Sequence, residues 1–165
     1  MRKIVLAGGC FWGVEAYFKQ LKGIIDTTVG YANGNIENPS YEQVCHGIAT
    51  HAEAILIEYD EEVIPLDKIY EHFFRIIDRT SLNRQGHDVG IQYRSGIYYE
   101  NIIDRDIALE FIKQEQIKYD KPIVVSVEPL HNFFYAETYH QDYLSKNPNG
   151  YCHVDLSLAK GDEKK

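Results

Sequence analysis

The chain has 165 residues, of which 17 are Lys or Arg and 25 are Asp or Glu, for a formal net charge of −8. With 44% apolar and 25% charged residues, it is long and apolar enough to bury one core, which excludes disordered, collagenous and coiled-coil classes. An acidic chain with no basic cluster argues against binding a phosphate backbone, and no apolar run is long enough for a membrane-spanning helix.

Residues 3–7 (Lys-Ile-Val-Leu-Ala) predict a short buried strand that Gly8 and Gly9 end. Phe11, Val14, Phe18 and Leu21 then recur at helical spacing, so a helix is expected from near Cys10 to Gly23. Thr27, Thr28 and Val29 favour a strand over 24–30. Gly, Asn, Pro and Ser crowd residues 31–50, which predicts an ordered loop containing Tyr41 and Cys45. Alternation from Ala52 to Tyr59 predicts a strand with Glu53, Ile55, Ile57 and Tyr59 on one face.

Leu66, Ile69, Phe73, Ile76 and Ile77 give a helix after Pro65, and residues 80–90 return to loop. A strand is expected over Ile91–Tyr99, with Tyr93 on its inner face. Asn101 can cap a helix with the stripe Ile103, Ile107, Phe111 and Ile112. A strand over Ile123–Val127 and a short helix from about Ala136 to Leu144 follow. Asn147-Pro148-Asn149-Gly150 is a turn cluster, and Gly161–Lys165 is a charged tail expected to fray. This order predicts helices packed on a mixed sheet, an α+β or α/β two-layer plan. One domain is expected over 1–165, with a mobile C-terminal segment from about residue 146. Met1 to Ala7 turns to glycine too soon for a secretory signal, so a cytoplasmic location is expected.

Three cysteines, Cys10, Cys45 and Cys152, form no C-x-x-C pair and no disulfide framework. Cys10 follows a strand and two glycines at a helix start, where free N–H groups and the helix dipole stabilise a thiolate. An unperturbed cysteine is only about 3% ionised at pH 7, so a shift of a unit or two matters. Phe11 and Trp12 cannot both face the core, which leaves at least one beside the thiol. Glu53 interrupts an apolar strand face, so its proton affinity should rise as a general acid requires. Asp88, Tyr93 and Tyr41 read individually as structural residues, and Cys152 as a free thiol near a flexible end. His51-Ala52-Glu53 has the H-x-E of zinc deaminases but no later P-C-x-x-C, and no metal site is expected.

These residues are also a pattern. Gly9-Cys10-Phe11-Trp12-Gly13-Val14-Glu15 resembles the active-site motif of the peptide methionine sulfoxide reductase A family. The resemblance continues through Gly30-Tyr31-Ala32-Asn33-Gly34, Asn38 to Cys45, and His51-Ala52-Glu53-Ala54. It runs on through Asn83 to Gly90, Gln92-Tyr93-Arg94-Ser95, His140 to Leu144, and Lys146 to Cys152. It implies a two-layer sandwich around a ferredoxin-like mixed sheet. It implies Cys10 as nucleophile and sulfenic-acid carrier, Phe11 and Trp12 as the pocket for the sulfoxide methyl, and Glu53 as the acid. Tyr41 and Tyr93 are then hydroxyl donors, Asp88 their polar partner, and Cys152 the resolving cysteine. Implied substrates are methionine S-sulfoxide, free or in oxidised proteins. Thioredoxin or another dithiol is the implied external reductant, with no bound cofactor. His87 stands where the family often has Asn, and no cysteine follows Cys152 to relay the disulfide onward. Two other readings of Cys10 stay open. One is a cysteine hydrolase with a histidine base such as His140, and the other a module that binds oxidised methionine without turning it over.

Overall fold

Apolar alternation in the strands and apolar stripes on the helices meet in two layers in the computed structural model, which describes residues 1–165. The first unit is β1 (Arg2–Gly8), α1 (Phe11–Lys19) and β2 (Ile24–Ala32). After α2 (Tyr41–Cys45), the second unit is β3 (Ala52–Tyr59), α3 (Leu66–Ile76) and, beyond the small hairpin β4 (Arg84–Gln85) and β5 (Asp88–Val89), β6 (Ser95–Tyr99). The chain closes with α4 (Ile102–Gln116), β7 (Ser126–Pro129), β8 (Phe133–Tyr135) and α5 (Tyr143–Lys146).

The main sheet has the order β7-β6-β1-β3-β2-β8. Every neighbouring pair is antiparallel except β6 with β7, which is parallel. The four inner strands interleave the two strand–helix–strand units, which is the ferredoxin-like plan the resemblance implies. Register pairs Leu6 with Ile55 and Tyr31 with Glu53, so the odd-numbered face of β3 looks into the main core. There Ile55, Ile57, Phe18 and Phe73 are fully buried. Burying each such side chain is worth roughly 1.5–3 kcal/mol. The other face is thinner, built on Val5, Ala7, Ala32, Ala52, Ala54 and Tyr98. No helix is long and apolar enough to cross a membrane.

Several elements differ from the sequence expectation. Within 31–50 the Ser40 hydroxyl accepts from the Gln43 N–H, and the Gln43 side chain accepts from the Ser40 N–H. This capping box winds Tyr41–Cys45 into the short α2. The strand expected from Ile91 starts only at Ser95, because Ile91–Tyr93 closes a 3-10 turn and places Tyr93 outside the strand. The strand expected over 123–127 is shifted to β7 by its parallel register with β6, which pairs Gly96 with Ser126. The helix expected over 136–144 divides into a 3-10 turn over Thr138–His140 and α5, because Asp142 takes a left-handed conformation at φ 55°. The last residues are packed, not frayed: Ala159 is buried, and the Lys22 N–H donates to the Glu163 carbonyl at 2.8 Å.

Candidate active site

β1 delivers the chain to α1 through Gly9, at φ +89°, where a Cβ would stand 2.8 Å from Gln85 Cβ and 2.9 Å from His153 Nε2. Only glycine suits both the conformation and the space. Cys10 is therefore the N-cap of α1, with 8% of its surface exposed.

The helix start alone predicts a lowered thiol pKa, and the structure reverses that expectation. Burial pushes the Cys10 thiol up, and the carboxylates of Glu53 and Asp88 push it further. The Trp12 N–H acts in the opposite direction and is outweighed. The first helical N–H, from Phe11, does not serve the thiol: it donates to Glu53 Oε1 at 3.2 Å.

Glu53 lies where the alternation of β3 places it, 1% exposed, beside the start of α1. Burial raises its carboxyl to about 8, against the opposing hydrogen bond from Phe11 and with a contribution from Asp88. Its Oε2 is buried with no hydrogen-bond partner. A protonated carboxyl thus waits next to the thiol with one oxygen unengaged. Burial also raises the Tyr41 and Tyr93 phenols, and each responds to the charge on Glu53. Both stay protonated donors through the neutral range. Asp88, on the β4–β5 hairpin, accepts the Tyr151 hydroxyl at 2.9 Å. It therefore grips the residue preceding Cys152 while its charge reaches Glu53.

Phe11 and Trp12 diverge as their spacing requires. Phe11 is 1% exposed, in the core against Tyr31. Trp12 is half-buried and lies flat on Tyr143, with ring centroids 3.7 Å apart and 6° between planes. Its indole N–H donates to His140 Nδ1 at 3.0 Å. Cys152 is half-buried, and its sulfur would lie 3.2 Å from a Cβ at Gly13. All three thiols are free, and the charge of Cys152 is felt at Cys10. Cys45 is exposed on α2 beside Tyr41. His87 is exposed at the hairpin tip.

Comparison with known proteins is decisive. The family model described as peptide methionine sulfoxide reductase matches residues 2–165. The chain belongs to the peptide methionine sulfoxide reductase family. The peptide methionine sulfoxide reductase MsrA of Clostridium acetobutylicum is 55% identical over 160 residues, 97% of this chain and 99% of that one. The crystal structure of Mxr1 from Saccharomyces cerevisiae in reduced form superposes with a TM-score of 0.88 at 42% identity, covering 94% of this chain and 91% of that one. Mxr1 in complex with Trx2 superposes at 0.61 with 30% identity, covering 86% and 84%. The chain is an oxidoreductase that reduces methionine sulfoxide by thiol–disulfide chemistry.

Sequence reasoning missed several residues that hold this reductase site in shape. Beyond its place in the family resemblance, the sequence offers His140 a role only as a hydrolase base. It is instead packed among Phe11, Tyr41 and Tyr139, with Nδ1 occupied by the indole. Glu137 accepts the Tyr31 hydroxyl at 2.7 Å and the Tyr41 N–H at 3.0 Å, which fixes the start of α2. Gln85 is 2% exposed and ties the hairpin to Asp78 and Ser95. The contacts of His140 with Trp12 and of Glu137 with Tyr31 and Tyr41 each span about 100 residues, so no local pattern signals them.

Proposed function

We propose that this enzyme reduces methionine S-sulfoxide, free or within oxidised proteins, with Cys10 as the attacking sulfur. The observation that supports this most is the buried Glu53, with Oε2 unengaged and its proton retained up to about pH 8. A sulfoxide oxygen seated there accepts that proton, assisted by the Tyr41 and Tyr93 hydroxyls. Protonation turns the oxygen into a hydroxyl and makes the sulfur electrophilic. Burial holds the resting Cys10 thiol neutral until the substrate arrives. Cys10 returns its thiol proton to the Glu53 carboxylate just formed and attacks the activated sulfur. The substrate S–O bond breaks, the hydroxyl passes to the Cys10 sulfur, and methionine leaves with Cys10 as sulfenic acid. Trp12, held flat by Tyr143 and His140, offers an apolar wall for the substrate methyl, and Phe11 backs it from the core.

Cys152 then condenses with the sulfenic acid to a Cys10–Cys152 disulfide. Thioredoxin or another dithiol reduces it, a step supported by the Trx2 complex of the relative Mxr1. The scheme uses no metal and no bound organic cofactor. A cytoplasmic location suits it, because reducing surroundings keep both thiols ready. The test is consumption of a dithiol on separated sulfoxide epimers, with methionine measured in parallel. The expected result is one methionine per disulfide formed, on the S epimer alone. Equal turnover of the R epimer would overturn the assignment of stereochemistry. Ester or amide hydrolysis without dithiol consumption would overturn the reductase scheme for Cys10.

A further inference from the structure

The residues after Cys152 run beside α1 from its reactive end to its far end. At the near end, residues 152–154 cover Gly13, where an added Cβ would stand 3.1–3.2 Å from Val154 Cγ2, Cys152 Sγ and His153 Nδ1. His153 Nε2 lies 3.0 Å from the Gly8 carbonyl. At the far end, Gln20 Nε2 donates to the Leu156 carbonyl at 2.9 Å, and the Lys165 N–H donates to the Gln20 carbonyl at 2.9 Å. Leu21 forms a bridge with Lys164. Only single 3-10 turns interrupt this stretch, so regular structure does not hold it. Among side chains the main anchor is a two-pronged ion pair: Arg75 Nη1 to Glu163 Oε1 at 2.7 Å and Nη2 to Oε2 at 2.9 Å. Arg75 Nη1 also reaches the Leu158 carbonyl at 3.3 Å. Behind the pair, His72 Nε2 stands 3.5 Å from Glu163 Oε2, and His72 Nδ1 meets the Tyr17 hydroxyl at 2.8 Å. The network thus joins α1, α3 and the chain end.

We propose that Arg75 and Glu163 are positioning residues for the disulfide-forming step, clasping the chain end to α3 so that Cys152 stays within reach of Cys10. The inference rests on Cys10 and Cys152 having the roles given above. In that step the Cys152 sulfur bonds to the Cys10 sulfur and the Cys10 S–O bond breaks. The oxygen leaves as water, taking the Cys152 thiol proton. A disulfide needs Cα atoms within about 7 Å, so the rate depends on how often the segment presents Cys152 there. A chain held at both ends has a higher effective concentration of its thiol than one held only upstream. The clasp contacts neither Cys10 nor Glu53. It therefore acts after methionine has left.

The test separates the two steps in a Cys45→Ser background. Glu163→Gln keeps the size of the side chain and removes its charge. A chain ending at Lys160 removes the clasp without touching α3. The double exchange Arg75→Glu with Glu163→Arg restores an ion pair of reversed sense. First-turnover methionine release should stay within twofold of the parent in all three. Disulfide formation, followed by mass spectrometry of quenched samples, should slow at least fivefold in the first two, with sulfenic acid accumulating to be trapped by dimedone. The exchange should recover at least half of the rate. Unchanged disulfide formation in both Glu163→Gln and the shortened chain overturns the proposal, as does equal slowing of both steps. Hydrogen peroxide in place of the sulfoxide generates the Cys10 sulfenic acid directly. Closure is then measurable even if the sulfoxide half of the scheme fails.

Discussion

The two walls that flank Cys10 are built in opposite ways. The acid wall is a side chain on β3, a strand paired on both edges, and Glu53 there is 1% exposed. The thiol wall is Cys152 in a stretch with no strand or helix, next to Tyr151, which is 44% exposed. A raised carboxyl pKa requires that water and relaxing dipoles be kept out, which a paired central strand ensures. A resolving thiol must move toward another sulfur and then present the disulfide to a reductant, which a rigid strand would prevent. With the roles proposed above, the difference teaches that the first half of the reaction relies on burial and the second on tethering.

The largest effect should come from the residue both walls serve. Cys10→Ser should abolish methionine release, since a serine hydroxyl is neither ionised nor nucleophilic enough here. Single-turnover release measured by chromatography checks this. Near-normal release would mean that neither wall had been assigned to the right sulfur, and would make Cys45 the candidate.

Glu53→Gln tests the acid wall alone. It keeps the shape but cannot transfer a proton, so methionine release should fall by roughly 10²–10⁴-fold. In the parent enzyme, release should decline as pH rises through about 8, where Glu53 loses its proton. The decline should be absent in the variant. Stability gives a second reading with a definite sign. The folded pKa of Glu53 lies above the ordinary carboxyl value of 4.5, so its contribution is present below pH 4.5 and is lost as pH rises through about 8. Glu53→Gln should remove that slope and be more stable by about 3 kcal/mol at neutral pH. Parallel denaturant titrations at pH 5 and 8.5 would show a constant offset instead if Glu53 were solvated.

The same contrast explains what was legible in the sequence. Glu53 was readable because a strand repeats every two residues, so a carboxylate in line with Ile55 and Ile57 must be buried with them. The strands and helices of the two units were readable from apolar spacing, whereas their interleaving followed only from the family resemblance. Tyr93 was misplaced because Ile91, Tyr93 and Ser95 alternate straight through what is a 3-10 turn. The sign of the Cys10 shift was misread because the helix start is visible in sequence, whereas the facing carboxylates of Glu53 and Asp88 are not. The packed chain end was illegible for a related reason: Arg75 and Glu163 lie 88 residues apart, and neither belongs to a local motif.

The smallest effect on methionine release should come from the thiol wall. Cys152→Ser leaves Glu53, its unengaged Oε2 and the Trp12 stack untouched, so the first turnover should still yield about one methionine per enzyme. What should disappear is the next step. With no cysteine among residues 153–165 to replace Cys152, thioredoxin meets a sulfenic acid instead of a disulfide, and cycling should stall. A small thiol should restore turnover by attacking that sulfenic acid directly. In the wild type, mass spectrometry after one turnover should find a Cys10–Cys152 peptide. A Cys10–Cys45 peptide with Cys152 free would instead move the resolving role to α2, where Cys45 sits exposed beside Tyr41. Both walls would then stand on regular structure, and the contrast between burial and tethering would fail. The position of Cys152 over Gly13 argues for the first outcome, since its sulfur already lies against the opening turn of the helix that Cys10 caps.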